Sequence, residues 1–474
     1  MSVQPLTRNA AKFFDREDVP GSWLIGGLLV LEPGADGPVD PDRVRRHVAA
    51  RLGADARLRQ KVAYRPLGLG LPVWVDDEDF DLDRHVIAAP VDEPLAPEEL
   101  NARVAALISQ PLDVGHPLWT MHVFAPLADG GSAVLSRMHH SLVDGMGGVA
   151  LAAALLFDAA ADAEAEEPAA WAPEPAPGGT RLVLDGARDR AAAVGRSLAS
   201  APKRAVGAVR SVPSPAQSRE ALASAADLVR RAPGTFRREW LFTAPTDVLR
   251  GEVGEQRAVA LASWPLDRVK SLERAFGEKV TVNDICLSAM AGALGDWMDQ
   301  EKLERRNVIA KVPVVPHVQD GGFAKGTGGQ APLYVELPVT EDDPVKRLMT
   351  VHGRAHDELS QADLVETLSL ERALSHLPRQ LADIPENRLR SRTAFNVAIT
   401  NVPGPPADFY VAGCRVRLAV PLPHLAGIHL LHIAIVSLSG TLTMGVVADP
   451  EHLPEPERLA ADLEEEMSSL LERA

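Results

Sequence analysis

Apolar and polar positions change period repeatedly along this chain, and the changes mark its elements. The run "SWLIGGLLVLE" (22–32) is apolar and bounded by glycine and proline, which predicts a buried strand. In "VDPDRVRRHVAARL" (39–52) Asp40 stands as N-cap and Pro41 as the first helical residue. A second helix is predicted over "APEELNARVAALISQ" (96–110). "HPLWTMHVFAPL" (116–127) and "SAVLSRM" (132–138) read as strands joined by a turn at Asp129-Gly130-Gly131. "GVALAAALLF" (148–157) predicts a buried helix.

Residues 158–179, rich in Ala, Pro and Glu, read as a linker. Residues 181–240 hold twelve Lys or Arg against five Asp or Glu, with alanine-rich helical spacing. Beyond them "PLDRVKSLERAFG" (265–277) predicts a helix ending at Gly277, and Thr281 caps a long helix over 282–300. "VIAKVPVVP", "APLYVELPV" and "AFNVAITNVPGP" read as strands. Residues 432–449 form a hairpin turning at Ser439-Gly440, and 455–474 an amphipathic closing helix. Both halves mix helix and strand. The expected fold is α/β with mixed sheets, in an N-terminal domain (1–157), a linker and basic helical crossover (158–245) and a C-terminal domain (246–474).

Composition narrows the functional classes. The 474 residues carry a formal charge of −16, which argues against a nucleic-acid protein, since phosphate binding needs clustered basic residues. Cys286 and Cys414 build no disulfide framework and no zinc spacing, and both are expected to pack. The N-terminus lacks a signal-peptide core, and no apolar run reaches the ~20 residues of a membrane helix. A cytoplasmic protein is expected, one that does not span a bilayer but can lie against its surface, with no nucleic acid as partner.

The candidate chemistry lies in "SRMHHSLVDGMGG" (136–148), where a strand gives way to a helix. A neutral imidazole can take a proton from an alcohol near pH 7 if its tautomer and orientation are fixed. Asp144 is close enough to order the turn, and Gly145, Gly147 and Gly148 allow tight backbone geometry. Two plainer readings stand beside this one: metal ligation by His139, His140 and Asp144, for which no third-ligand motif exists, and structural histidines at a turn.

"MHHSLVDG" resembles the HHxxxDG signature of the chloramphenicol acetyltransferase-like, CoA-dependent acyltransferases. Three further segments narrow the resemblance to the bacterial wax ester synthase/diacylglycerol acyltransferase family. They are Pro117-Leu118-Trp119, "TVNDICLSAMAGAL" with Asn283 and Asp284, and "TNVPGP" (400–405). The resemblance implies two domains of one fold, joined by the long crossover, with a tunnel between them. It implies acyl-CoA as co-substrate and a lipid alcohol (diacylglycerol or fatty alcohol) as acceptor. No cofactor or metal is expected, and the basic region 181–240 either touches the membrane or lipid droplet that holds such substrates or simply packs as the crossover between the domains. His140 is implied as general base, Asp144 as the residue ordering its loop, and His139 as support. Asn283 and Asp284 either cap their helix or shape the site. Trp119 is expected to pack, and Pro403, Gly404 and Pro405 to form a rigid turn. His424, His429 and His432 lie on or beside a strand with no recognisable partner.

The chain departs from the family pattern at Pro316, His317, Thr327 and Leu438, which bears on acceptor preference. Two alternatives remain at this level: the same fold acting on an amine, sugar or polyketide acceptor, and an idle lipid-binding homologue.

Overall fold

The computed structural model describes residues 4–15, 23–66, 70–142, 146–160, 168, 170–200, 244–276, 279–314, 317–318, 322–323, 331–361, 394–404, 407–425 and 427–473. Two six-stranded mixed sheets organise these residues. In the first, Tyr410–Val411, Cys414–Leu422, Leu24–Leu31, Ser132–His139, Trp119–Phe124 and Val86–Ala88 lie side by side in that order. Only the pairing of Val86–Ala88 with Trp119–Phe124 is parallel. In the second the order is Ala331–Leu337, Val308–Val314, Val397–Pro403, Leu431–Leu438, Thr441–Ala448 and Ala258–Pro265. There Val397–Pro403 runs parallel to both its neighbours, and the remaining pairs are antiparallel.

The strand Ser132–His139 is buried along its whole length, its polar residues Ser132, Ser136, Arg137 and His139 included. Its odd-numbered residues Ala133 and Leu135 join a core shared with the second sheet. Its even-numbered Val134 and Met138 pack into the core of the first half. This is the two-residue period of a strand buried on both faces.

Helix Pro41–Arg51 begins as its sequence dictates, with Asp40 accepting from the Asp42 backbone N–H. The second sheet packs on Val282–Gln300, buried almost throughout, with Pro344–Gln361 and Pro456–Glu472 beside it. One side chain ties all three helices together. Arg347 pairs with Glu466 and donates to the Ser288 carbonyl at 3.2 Å and the Glu341 carbonyl at 2.9 Å. A buried guanidinium is tolerable only with this many acceptors.

The segment Cys414–Leu422, not assigned from the sequence, is a strand in which Cys414, Val416 and Leu418 alternate with Arg415 and Arg417, the two-residue period of a half-buried strand. It comes from the second half of the chain yet pairs with Leu24–Leu31 of the first sheet. Its far end presses on the second sheet: a Cβ added to Gly445 would lie 1.9 Å from the Pro421 carbonyl oxygen. Helix Pro97–Ile108 also reaches across towards strand Ala258–Pro265, and the Arg257 N–H donates to Ser109 Oγ at 2.8 Å.

The stretch expected as a linker is docked over part of its length. The Arg59 guanidinium lies 4.7 Å above the Trp171 ring, and Phe80 meets the same ring edge-on. The Glu174 and Ala176 backbone N–H groups donate to Asp76 and Glu78 at 2.9 Å. Helix Gly179–Ser200 follows, with Leu182 packed on Val73 and Val75 and Asp189 paired with Arg65. An aromatic and two free backbone donors dock this proline-rich segment without secondary structure of its own.

Close packing at Gly445 gives a stability test. Gly445→Ala is expected to lower the unfolding free energy by about 3 kcal/mol or abolish folding, because backbone lies where the methyl must go. Gly353→Ala, in a helix with nothing within 4 Å, should raise it by up to about 1 kcal/mol. Urea denaturation of both variants checks the pair.

Candidate active site

The site begins where strand Ser132–His139 ends. The His139 N–H donates to the Leu118 carbonyl at 3.0 Å, and the His140 N–H to the Trp23 carbonyl at 2.9 Å. The Leu142 N–H closes a turn on the His139 carbonyl at 2.9 Å. Both histidine backbones are thus held by neighbouring chain.

Two consecutive aromatic residues of helix Arg8–Asp15 meet the two histidines. Phe14 stacks on His139 at 4.7 Å between ring centroids, and Phe13 stacks on His140 at 4.3 Å. The Ser141 N–H donates to His139 Nδ1 at 3.2 Å, and the Ser141 hydroxyl lies 2.6 Å from the same atom. Nδ1 is therefore the acceptor, and the proton sits on Nε2. Burial, then the neighbouring His140, pushes His139 down to about 4, so this ring stays neutral at pH 7.

His140 is half-buried and ringed by aromatic groups. Beside Phe13, Trp23 meets it edge-on at 6.3 Å and His424 at 5.2 Å. His424 in turn lies 4.8 Å from Trp23 and 5.4 Å from His432. The expectation that His424, His429 and His432 lack partners is thus corrected. His424 and His432 join His140 across the two sheets, and His429 stacks on Phe395 at 3.8 Å. No sequence pattern links residue 140 to residue 424. For Phe13 the one available signal is the pairing of "FF" with "HH".

Asp144 and Gly145 lie outside the described residues, as do Pro405, Pro316 and Thr327. Helix Met146–Leu156 starts just after that gap. His317 is in the short strand His317–Val318, and Leu438 is buried beside Gly404.

The other named residues fall into distinct settings. Asp284 closes a capping box with Thr281 and accepts from the His352 ring at 3.0 Å. Asn283 faces the second sheet, with its Oδ1 3.5 Å from Asn401 Nδ2. Trp119 is fully buried, donates from Nε1 to the Leu58 carbonyl at 2.8 Å and stacks on His85. Pro403 ends its strand opposite Ser437, and the Gly404 N–H donates to the Ser437 carbonyl at 2.9 Å. A Cβ at Gly404 would lie 2.2 Å from that carbonyl oxygen, so only glycine fits. No group of three or more His, Cys, Asp or Glu is placed to hold a metal ion among the described residues.

Two mixed sheets with a histidine pair at the end of a buried strand, facing the second sheet, define a bilobal acyltransferase-like architecture. The chain belongs to the wax ester synthase/diacylglycerol acyltransferase family: the family's catalytic domain matches residues 6–286 and its C-terminal domain residues 331–471. Among similar proteins is one from Mycobacterium tuberculosis named a probable diacylglycerol O-acyltransferase, 32% identical over 454 residues and 94% of each chain. A second protein of that name and organism is 28% identical over 98% of this chain and 95% of its own. The fold matches the wax ester synthase/diacylglycerol acyltransferase from Marinobacter aquaeolei VT8 with TM-score 0.68, 22% identity and 99% coverage of both chains. The first condensation domain of the calcium-dependent antibiotic synthetase matches with TM-score 0.56 and 15% identity, over 99% of this chain and 96% of its own.

The buried histidines set a pH dependence. His122 and His139 are pushed down to about 4, His429 to about 3 and His432 to about 4, each chiefly by burial. Below pH ~6.5 the unfolded chain binds protons at these rings and the folded chain does not. Stability therefore falls as pH drops from 6.5 towards 4, by up to about 1.4 kcal/mol per pH unit for each ring. Glu466, raised chiefly by burial, acts with the opposite sign. Urea midpoints are expected to fall between pH 7.5 and 5.5, and His122→Leu to flatten that slope. A wild-type midpoint that rises on acidification would contradict the assignment.

Proposed function

We propose that this chain is an O-acyltransferase that moves a long-chain acyl group from acyl-CoA to a lipid alcohol, diacylglycerol or a fatty alcohol, with His140 as general base. The observation that carries this is His140 itself. Its backbone is fixed at a strand end and its ring sits against Phe13, Trp23 and His424, between the two sheets. Family membership supports the same reading.

The acceptor hydroxyl gives its proton to His140 as its oxygen attacks the thioester carbonyl carbon. Collapse breaks the C–S bond, and the departing thiolate takes the proton back from His140, leaving the ester and free CoA. Holding both substrates together supplies much of the acceleration, and a general base adds roughly 10²–10⁴-fold. His139 supports the turn as a neutral ring, and Asp144 takes the loop-ordering role that the family resemblance implies for it. Asn283 and Gly404 shape the second half's share of the site, while Asp284 and Trp119 act through packing and capping.

With purified protein, CoA release from a long-chain acyl-CoA is expected to depend on added alcohol. His140→Ala should lose at least about 10²-fold in kcat while still binding acyl-CoA. Asp144→Ala should lose activity together with thermal stability. Release into water alone, unchanged by any acceptor, would identify a thioesterase instead.

Lipid substrates also call for contact with an interface, and no helix among the described residues is long and apolar enough to cross a membrane. The basic region offers such contact, since each Lys or Arg near an anionic surface contributes roughly 1 kcal/mol. Its Lys203, Arg204, Arg210, Arg230 and Arg231 lie outside the described residues. Changing all five to Gln should reduce co-sedimentation with anionic liposomes at low salt. Equal binding by both proteins, or none by either, leaves this region as a connector alone.

A further inference from the structure

Phe13 and Phe14 are neighbours on helix Arg8–Asp15, yet their surroundings differ. Phe14 packs against the core of the first half, and its ring also meets Tyr64 edge-to-face at 6.3 Å. Phe13 joins none of the hydrophobic clusters among the described residues. The helix is held without it. Leu6 just before the helix and Ala11 within it are buried in that core, and the Leu6 N–H donates to the Pro72 carbonyl at 2.8 Å.

What the half-buried Phe13 ring does meet is aromatic. It lies over the His140 ring at 4.3 Å between centroids, with 27° between the planes. Trp23 stands edge-to-face with Phe13 at 4.9 Å and with His140 at 6.3 Å, and its carbonyl accepts from the His140 N–H. Phe13 therefore covers a face of the imidazole, while Trp23 touches both members of the stack. An imidazole accepts a proton in its own plane, so a ring on its face sets the direction of the lone pair without blocking it.

The same face matters again once the proton arrives. A base that takes a proton becomes an imidazolium, here beside His139, His424 and His432, which are neutral at pH 7 chiefly through burial. The π face of a phenyl ring attracts a cation held within about 6 Å of its centroid. Phe13 thus favours the protonated ring over the neutral one, an interaction stronger in the transition state than before it.

We propose that Phe13 is a positioning residue for the acyl transfer: its ring holds the plane of His140 and steadies the imidazolium that forms as the acceptor's proton is taken. The inference rests on the reading of His140 as general base. Phe13 itself gives and takes no proton.

The test measures alcohol-dependent CoA release from a long-chain acyl-CoA by the full chain, with urea midpoints alongside. Phe13→Leu is expected to lower kcat by about tenfold, part of the roughly 10²–10⁴-fold that a general base supplies, with KM for acyl-CoA within about twofold of wild type. Its urea midpoint should stay near wild type, whereas Phe14→Leu, which loses core packing, should lower the midpoint clearly. Phe13→Tyr, which keeps the π face, should recover most of the lost kcat. Replacing Phe13 by pentafluorophenylalanine, which keeps the shape and reverses the charge of the face, should cost as much as Phe13→Leu. If Phe13→Leu loses its midpoint as Phe14→Leu does, the pentafluorophenylalanine protein alone decides. Undiminished kcat in that protein, or in a folded Phe13→Leu, overturns the proposal while His140 keeps its role. A wild type that releases no CoA in response to an alcohol overturns the acyl-transfer reading itself, and this inference with it.

Discussion

The rest of the structure depends on one strand crossing between the sheets. Cys414–Leu422 leaves the second half of the chain, completes the hydrogen-bond ladder of Leu24–Leu31, and lays the Pro421 carbonyl against Gly445. A backbone oxygen at that distance admits no side chain, so the two sheets are registered against each other by main chain rather than by adjustable side chains. The chain then leads directly through His424 to the strand bearing His432. What fixes the sheets also fixes the distance between His140 and its partners from the other half.

That registration explains the shared core. Ala133, Leu135 and Leu28 of the first sheet belong to the same apolar cluster as Val259, Ile433 and Val446 of the second. Removing such area from water contributes about 25 cal/mol per Å². Polar groups enter this region only with partners or in neutral form. Asn396 meets the Ile309 N–H and two carbonyls, and Asp449 accepts from Gly254 and Glu451. The histidines follow the same rule by giving up their protons, since an imidazolium here would lack both water and a counter-ion. A neutral surrounding suits a residue proposed to accept a proton.

Family and geometry speak to different residues. The two family domains leave residues 287–330 unmatched, and that interval holds Pro316, His317 and Thr327, where the chain departs from the family pattern. His424 and His432 lie inside the matched region, and their rings stand in a row with that of His140. Similarity gives the reaction class, whereas the meeting of these rings with His140 comes from the fold alone.

The sequence by itself determined the elements whose cause is local. Asp40 and Pro41 start one helix, Thr281 and Asp284 cap another, and the turn at Ser439-Gly440 sets the last hairpin, with both residues at positive φ. It also determined the histidine pair, because HHxxxDG is contiguous. Tertiary structure alone decided the remainder. The alternation of Arg415 and Arg417 with apolar residues allows a strand over Cys414–Leu422, but nothing local names Leu24–Leu31 as its partner. Trp171 docks a segment whose composition reads as linker, because Arg59 and Phe80 meet it from elsewhere in the chain. Phe13, His140, His424 and His432 meet across more than 400 residues, and contacts of that range leave no period or spacing in the sequence.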